Sequence, residues 1–182
     1  MKTTMRYFFY RHACIIGSQF PAKVSIDKRF NAVLWKPTKL EIVPHGVKFL
    51  PFVIWGAMHH LHLFANQNYG LYLIYDGYNL IHRSVITPRY FRFPFMGRED
   101  LQIGDTWTMP EYRGKGLATF AIQNIVKLHK KPGRRFWYVV EEDNIPSIRA
   151  VEKAGFAKYG AGVRKKRMNI KIIGTFEITT LY

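Results

Sequence analysis

The sequence predicts a single α/β sheet domain, and three observations carry that reading. The chain has 182 residues, 48% hydrophobic and 22% charged. That is enough apolar material for one sizeable core and too much for a disordered chain. An Asp-Gly pair at 76–77 joins two runs rich in β-branched and aromatic residues, which is a hairpin signal. From residue 101 the punctuation alternates strand, glycine-rich turn, helix, strand, helix, strand, the pattern of a sheet covered by helices.

Taken in order, residues 4–10 and 39–44 are expected to be short strands. Residues 49–63 form a helix with Pro51 in the first turn, where a missing N–H is tolerated. The apolar stretch 47–64 is interrupted by Lys48, Pro51, His59, His60 and His62. It falls short of the roughly 20 apolar residues of a membrane span, so it is read as a buried or amphipathic helix. Tyr69–Tyr75 and Asn79–Thr87 are the hairpin strands, and Pro88 and Pro94 bound an aromatic-basic loop, Arg89–Arg98. Leu101–Met109 is a strand that Pro110 ends. In Leu117–Lys130, Leu117, Phe120, Ala121, Ile125 and Leu128 recur at helical spacing. Lys127, Lys130 and Lys131 lie near its C-terminus, where the dipole favours cations. Pro132-Gly133 breaks it, and Arg135–Val140 is the next strand. A second helix starts at Asn144-Ile145-Pro146-Ser147 and closes at Gly155 as a C′ glycine. Phe156–Tyr159 and Ile170–Thr180 are the last strands. No internal repeat or low-complexity linker divides the chain, and residues 1–182 are read as one domain.

The net charge is +16, and residues 1–100 and 101–182 carry +8 each, so the charge is not a detachable basic tail. Such a field favours an anionic ligand: a phosphorylated cofactor, nucleic acid or an anionic membrane surface. The single cysteine, Cys14, excludes an internal disulfide and any multi-thiolate metal site. It suits a reducing, cytoplasmic compartment. Residues 1–11 carry charges and no apolar signal core. His59, His60 and His62 do not share one helical face, so no metal site is expected there.

The turn Arg113-Gly114-Lys115-Gly116 lies between a strand and a helix. Its glycines let the backbone approach a ligand, and the free N–H groups and dipole of the helix favour an anion such as pyrophosphate. A P-loop is excluded because Gly114-Lys115 is followed by Gly116 rather than Ser or Thr. A dinucleotide fingerprint lacks its third glycine at Thr119, although Glu141 and Glu142 end the next strand where a ribose-binding acid would stand.

A third motif fits better. Thr108-Met109-Pro110-Glu111-Tyr112-Arg113-Gly114-Lys115-Gly116-Leu117-Ala118 resembles the acyl-CoA signature Arg/Gln-x-x-Gly-x-Gly/Ala of the GNAT N-acyltransferase superfamily. Downstream, Asn144-Ile145-Pro146-Ser147 through Glu152-Lys153-Ala154-Gly155-Phe156 resembles that family's second block. The resemblance covers about residues 99–160, the acyl-CoA-binding core, and extends by topology from about 69; residues 1–46 are read as a divergent N-terminal part of the same domain. It implies a mixed, mostly antiparallel sheet that splits at the family's fourth strand (here 101–109), flanked by helices, with coenzyme A in the split. It implies an acetyl-CoA-dependent N-acetyltransferase needing no metal. Trp107, Thr108 and Met109 would hold the pantetheine arm. The amides of Arg113, Gly114, Lys115, Gly116, Leu117 and Ala118 would hold the pyrophosphate, and Asn144 and Ser147 would help place the cofactor's far side.

The family's usual acid is a Tyr seven residues after the motif Asn; here that position is Val151, and no acid is assigned. Tyr138 and Tyr159 are expected to be packing aromatics. For the base, strand alternation puts Ile103, Asp105, Trp107 and Met109 on one face, which favours Asp105, with His82 as the other candidate. Arg89 and Arg92 are expected to line the acceptor pocket. The run from His82-Arg83-Ser84 to Phe93-Pro94-Phe95-Met96 resembles family members of bacterial surface-polysaccharide pathways, and an amino-sugar nucleotide suits the loop's rings and charge. The partners are then acetyl-CoA and a small anionic amine, with a homodimer also open. The rival reading is a nucleic-acid-binding module on a vestigial acyltransferase fold, drawn from Arg89–Phe95, Arg134–Tyr138 and a basic turn at Arg164-Lys165-Lys166-Arg167.

Overall fold

The structure is a computed structural model that describes residues 5–13, 24–38, 40–41, 43–47, 49–167 and 170–182. Cys14, Lys39, Ile42 and Lys48 lie outside the described residues. In chain order the elements are β1 (Arg6–Ala13), β2 (Phe30–Trp35), α1 (Phe49–His60), β3 (Gly70–Asp76), β4 (Asn79–Pro88) and β5 (Leu101–Thr108). A short 3-10 turn (Pro110–Tyr112) follows, then α2 (Leu117–Leu128), β6 (Arg135–Glu141), α3 (Ile145–Lys153), β7 (Ala157–Arg167) and β8 (Ile170–Leu181).

One eight-stranded sheet holds all the strands, in the order β2-β3-β4-β5-β6-β1-β7-β8. Every neighbouring pair is antiparallel except β5 and β6. That parallel pair is joined only at Leu101↔Phe136, Gln102↔Trp137 and Ile103↔Tyr138. Beyond these positions the two strands part, and the sheet opens where the sequence places its split. The strand is fifth in chain order rather than fourth because β1 comes first in the chain and inserts between β6 and β7.

Two expected elements are corrected. Among the described residues 39–44 hold no strand; Thr38 and Glu41 exchange hydrogen bonds in a turn, and the edge strand is Phe30–Trp35. The basic block Arg164–Arg167 is not a turn but the end of β7. There the Lys165 ammonium meets Glu177 at 2.6 Å across the ladder to β8.

Each sheet face carries its own core. On one face α2 and α3 cover Tyr72, Ile74, Ile86, Ile103 and Tyr138, with Ile122 and Ile125 from α2. On the other, α1 and the 89–98 loop bring Phe52, Tyr90, Phe93 and Met96 onto Leu71, Leu73, Trp137 and Phe176. In this loop, which the sequence reading places at the acceptor pocket, Tyr90 and Phe93 are core side chains while Phe91 is exposed, and Phe93 stacks on Phe176 with ring centroids 5.5 Å apart. Asp100 pins the loop's end, accepting from the Gly97 amide at 2.8 Å and the Trp137 indole at 2.9 Å. Among the described residues no helix is long and apolar enough to cross a membrane.

Candidate functional site

A cleft of about 520 Å³ opens where β5 and β6 part. Its walls are the end of β5, the glycine turn with the first turn of α2, and one face of α3. Gly114 and Gly116 both have φ of +76°, in the left-handed region that glycine adopts without steric cost. Gly116 is the N-cap of α2 and supplies no side-chain cap. The first amides of α2 therefore have neither an intrahelical partner nor a side-chain one at the cap. Leu117, Ala118 and Thr119, which carry them, line the cleft.

Of the eleven residues that the resemblance assigns to coenzyme A, the cleft gathers Trp107, Thr108, Arg113, Gly114, Gly116, Leu117, Ala118, Asn144 and Ser147. Two stand apart. Met109 packs against the α2-side core, and Lys115 turns its ammonium over the Tyr112 ring at 4.7 Å. Arg113 donates from Nε to the Thr108 carbonyl at 3.2 Å, tying the turn to β5. The Asn144 carboxamide accepts from the Ser147 amide at 3.2 Å, so it caps α3 at the cleft's edge.

Sequence reasoning missed Thr106, Tyr138, Arg149 and Lys153, which also line the cleft. The last two were legible: Pro146, Arg149, Ala150 and Lys153 recur at i, i+3, i+4 and i+7, one face of a helix. They add two cations to a wall already basic at Arg113.

Asp105 is not where alternation puts it. Arg83 pairs with Trp107 and Val85 with Gly104, so Asp105 and Thr106 together face Ser84. The extra residue is a β-bulge, with Asp105 at φ +41°. The bulge reverses the strand's alternation, so Ile103 faces α2 while Trp107 stands with Arg83 on the α1 side, 5.5 Å from its guanidinium. Asp105 is exposed and meets Arg83 Nη2 at 3.3 Å. It lies at the bulge rather than in the cleft wall.

His82 is also displaced from the role of a base that touches the acceptor. It is fully buried, with Nδ1 2.8 Å from Thr108 Oγ1 and Nε2 3.1 Å from Ser84 Oγ. Burial first, and the Arg83 charge second, push its pKa from 6.5 down to about 3. The folded protein thus holds this ring neutral where the unfolded chain would charge it. The stabilisation from this neutral ring is present above pH 6.5 and is lost as pH falls toward 3. Urea unfolding at pH 7.5, 5.5 and 4.5 is expected to show stability falling with acid, and His82→Gln to flatten that slope. An unchanged slope in the variant would assign acid sensitivity to other groups.

Arg89 is exposed and Arg92 lies over the Tyr90 ring at 5.8 Å; neither lines the cleft. Val151 is fully buried in the α2-side core, and Tyr159 packs edge-on against Trp137 on the opposite face. Among the described residues no group of three His, Cys, Asp or Glu side chains could hold a metal.

The family model described as "Acetyltransferase (GNAT) family" matches residues 45–156, well over half of the chain. No curated protein matches by sequence. Among solved structures, the chain resembles a GNAT-family acetyltransferase from Colwellia psychrerythraea (TM-score 0.52, 14% identity, 85% of this chain and 53% of that one). It also resembles a tandem GNAT protein from the clavulanic acid biosynthesis pathway (0.58, 13%, 87% and 51%). A third is a GCN5-related N-acetyltransferase from Sphaerobacter thermophilus (0.57, 14%, 87% and 50%). These identities show a shared fold, and the chain spans about half the length of each. With the family match across β3 to α3 and the glycine turn at the open fork of the sheet, the chain belongs to the GNAT acetyltransferase family.

Proposed function

We propose that the chain transfers an acetyl group from acetyl-CoA to a primary amine. The observation that carries this reading is the uncapped N-terminus of α2 opening into the cleft between β5 and β6. The residues fit the cosubstrate: a Cβ placed at Gly114 would meet no protein atom within 4 Å, so the backbone there is open to a ligand. The amides of the turn, with Arg113, Arg149 and Lys153, suit phosphate groups. Past Ile103 the cleft edge of β5 has no strand partner. Among the described residues its peptide groups there have no β6 partner and suit the amide-bearing arm, while Arg113 donates to the Thr108 carbonyl.

When bound, acetyl-CoA supplies a thioester, already activated toward amines. The protein's tasks are then to align the two reactants, to stabilise the oxyanion and to move protons. Asp105, at the bulge, is the proposed base for the incoming ammonium. The acceptor is proposed to be a small anionic amine, such as an amino-sugar nucleotide, because a net charge of +16 attracts it and repels a cationic protein tail. The nucleic-acid reading gains no support, since Phe93, Phe136 and Trp137, which would stack on bases, are buried in the two cores.

The test is release of free thiol from acetyl-CoA against a panel of amines at two salt concentrations. An anionic amine is expected to lead, with its KM rising in salt as attraction is screened over about 8 Å at physiological ionic strength. Arg89 and Arg92 are proposed to attract the acceptor's charge from outside the cleft, so Arg89→Ala with Arg92→Ala is expected to raise the acceptor KM and leave the acetyl-CoA KM unchanged. A polyamine or lysine peptide as best substrate would remove the anionic-acceptor reading and leave acyl transfer standing.

A further inference from the structure

With Val151 buried in the core, the position of the family's usual acid offers nothing to a departing sulfur. The cleft carries another hydroxyl. Tyr138 pairs with Ile103 at the last joined position of β5 and β6, so it stands at the fork where the strands part, and it lines the cleft. Thr106, across the fork, and Ser147, in the first turn of α3, line the same cleft.

Behind Thr106 runs a chain of polar side chains through the sheet. Thr106 Oγ1 lies 3.2 Å from Ser84 Oγ. Ser84 Oγ lies 3.1 Å from His82 Nε2, and His82 Nδ1 lies 2.8 Å from Thr108 Oγ1. Both ends, Thr106 and Thr108, open on the cleft. The interior members, His82 and Ser84, are fully buried. They stand in register with Ile74 and Tyr72, on the face that also holds Ile86 and Ile103.

Apolar residues there would pack at least as well, because a buried hydrogen bond returns little net stability. Hydroxyls both donate and accept, and a neutral imidazole donates at one nitrogen and accepts at the other. The chain can therefore pass a proton end to end, the imidazole changing tautomer as it does. The bulge makes this possible: by doubling Asp105 and Thr106 against Ser84, it puts Thr106 and Thr108 on the same face as His82 and Ser84.

We propose that Tyr138 donates the proton taken up by the departing sulfur, and that the Thr108–His82–Ser84–Thr106 chain returns a proton to Tyr138 from the acceptor nitrogen. The proposal rests on the acyl-transfer reading above. The ammonium first loses one proton to the base. The amine nitrogen then bonds to the carbonyl carbon, and the C–S bond breaks with its electron pair going to sulfur. Sulfur takes a proton from Tyr138 Oη. Tyr138 takes one from Thr106 Oγ1, each member of the chain passes one on, and Thr108 takes the second proton of the nitrogen. The base then gives its proton to water, so the protein ends as it began, and nothing is oxidised or reduced. Burial raises the Tyr138 pKa, with the Thr106 and Ser147 hydroxyls partly offsetting it, so the phenol holds its proton at neutral pH.

Tyr138→Phe keeps the ring and removes one oxygen, and an unchanged thermal midpoint would confirm its fold. It is expected to lower kcat about tenfold, below the usual range for acid–base catalysis because a thiolate leaves readily unaided. Its acetyl-CoA affinity is expected to stay unchanged. A second readout needs no turnover. Bound CoA, titrated by the ultraviolet absorbance of its thiolate, is expected to hold several-fold more thiolate on the wild type than on Tyr138→Phe, which lacks the phenol's hydrogen bond. Ser84→Ala is expected to lower kcat without changing that titration, and Ser84→Thr, which keeps the hydroxyl, to restore it. Equal kcat and equal thiolate fractions in wild type and Tyr138→Phe would overturn the proposal alone. A wild type that binds no CoA would overturn the acyl-transfer reading and this proposal with it.

Discussion

Gly114→Val is expected to abolish coenzyme A binding while the protein stays folded. The residue sits at φ +76°, and a Cβ there would point into open cleft rather than at protein. A side chain costs the fold only the strain of a left-handed L-residue, roughly 1–2 kcal/mol. That is a tolerable part of the roughly 5–15 kcal/mol by which a domain is stable. The ligand meets a harder obstacle, because the new methyl groups occupy the space its phosphates need against the α2 amides. Gly116 is a poorer site for this test. Its Cβ would come within 3.2 Å of Val24 Cγ1, so a substitution there disturbs packing as well as binding. Calorimetry with CoA and a thermal melt of the same sample separate the two effects. Wild-type affinity in folded Gly114→Val would sink the assignment of the turn to the cofactor.

Asp105→Asn is expected to lower kcat by about 10²-fold, the lower end for lost general-base catalysis, with acetyl-CoA affinity unchanged. The substitution is well matched to the site. Asn tolerates positive φ nearly as well as Asp, so the bulge at φ +41° survives. The pair with Arg83 is half open to solvent, with the Asp105 side chain 44% exposed, and an exposed ion pair contributes at most about 1 kcal/mol. A purely structural Asp105 would therefore leave kcat near wild type and cost little stability. A base would lose its proton acceptor outright. Rates across pH 6–9 decide between them, and wild-type kcat throughout that range would remove Asp105 from the role.

The sequence by itself determined the strand–helix–strand–helix–strand run from Leu101, the Asp76-Gly77 hairpin and the glycine turn. These are legible because their signals are local: a glycine that must take positive φ, a proline that stops a strand, an apolar period of a helix. Nine of the eleven assigned cofactor residues meet in one cleft for the same reason, since the motif that names them is continuous along β5, the turn and α2, and then along α3. What only the tertiary structure decided depends on pairing across the sheet. One inserted residue opposite Ser84 reversed the faces of β5, moving Asp105 out of line with Ile103 and bringing Thr106 beside Ser84. The insertion of β1 between β6 and β7 has no local mark, because register and strand order are set by partners more than a hundred residues away. The 89–98 loop reads as a ligand surface in sequence, yet Tyr90, Phe93 and Met96 are core, since rings beside cations suit either a ligand or an apolar sheet face. Tyr138 reads as one aromatic in a buried strand. It reaches the cleft because β5 and β6 separate one residue beyond it, and that separation is a property of two strands that neither sequence segment contains.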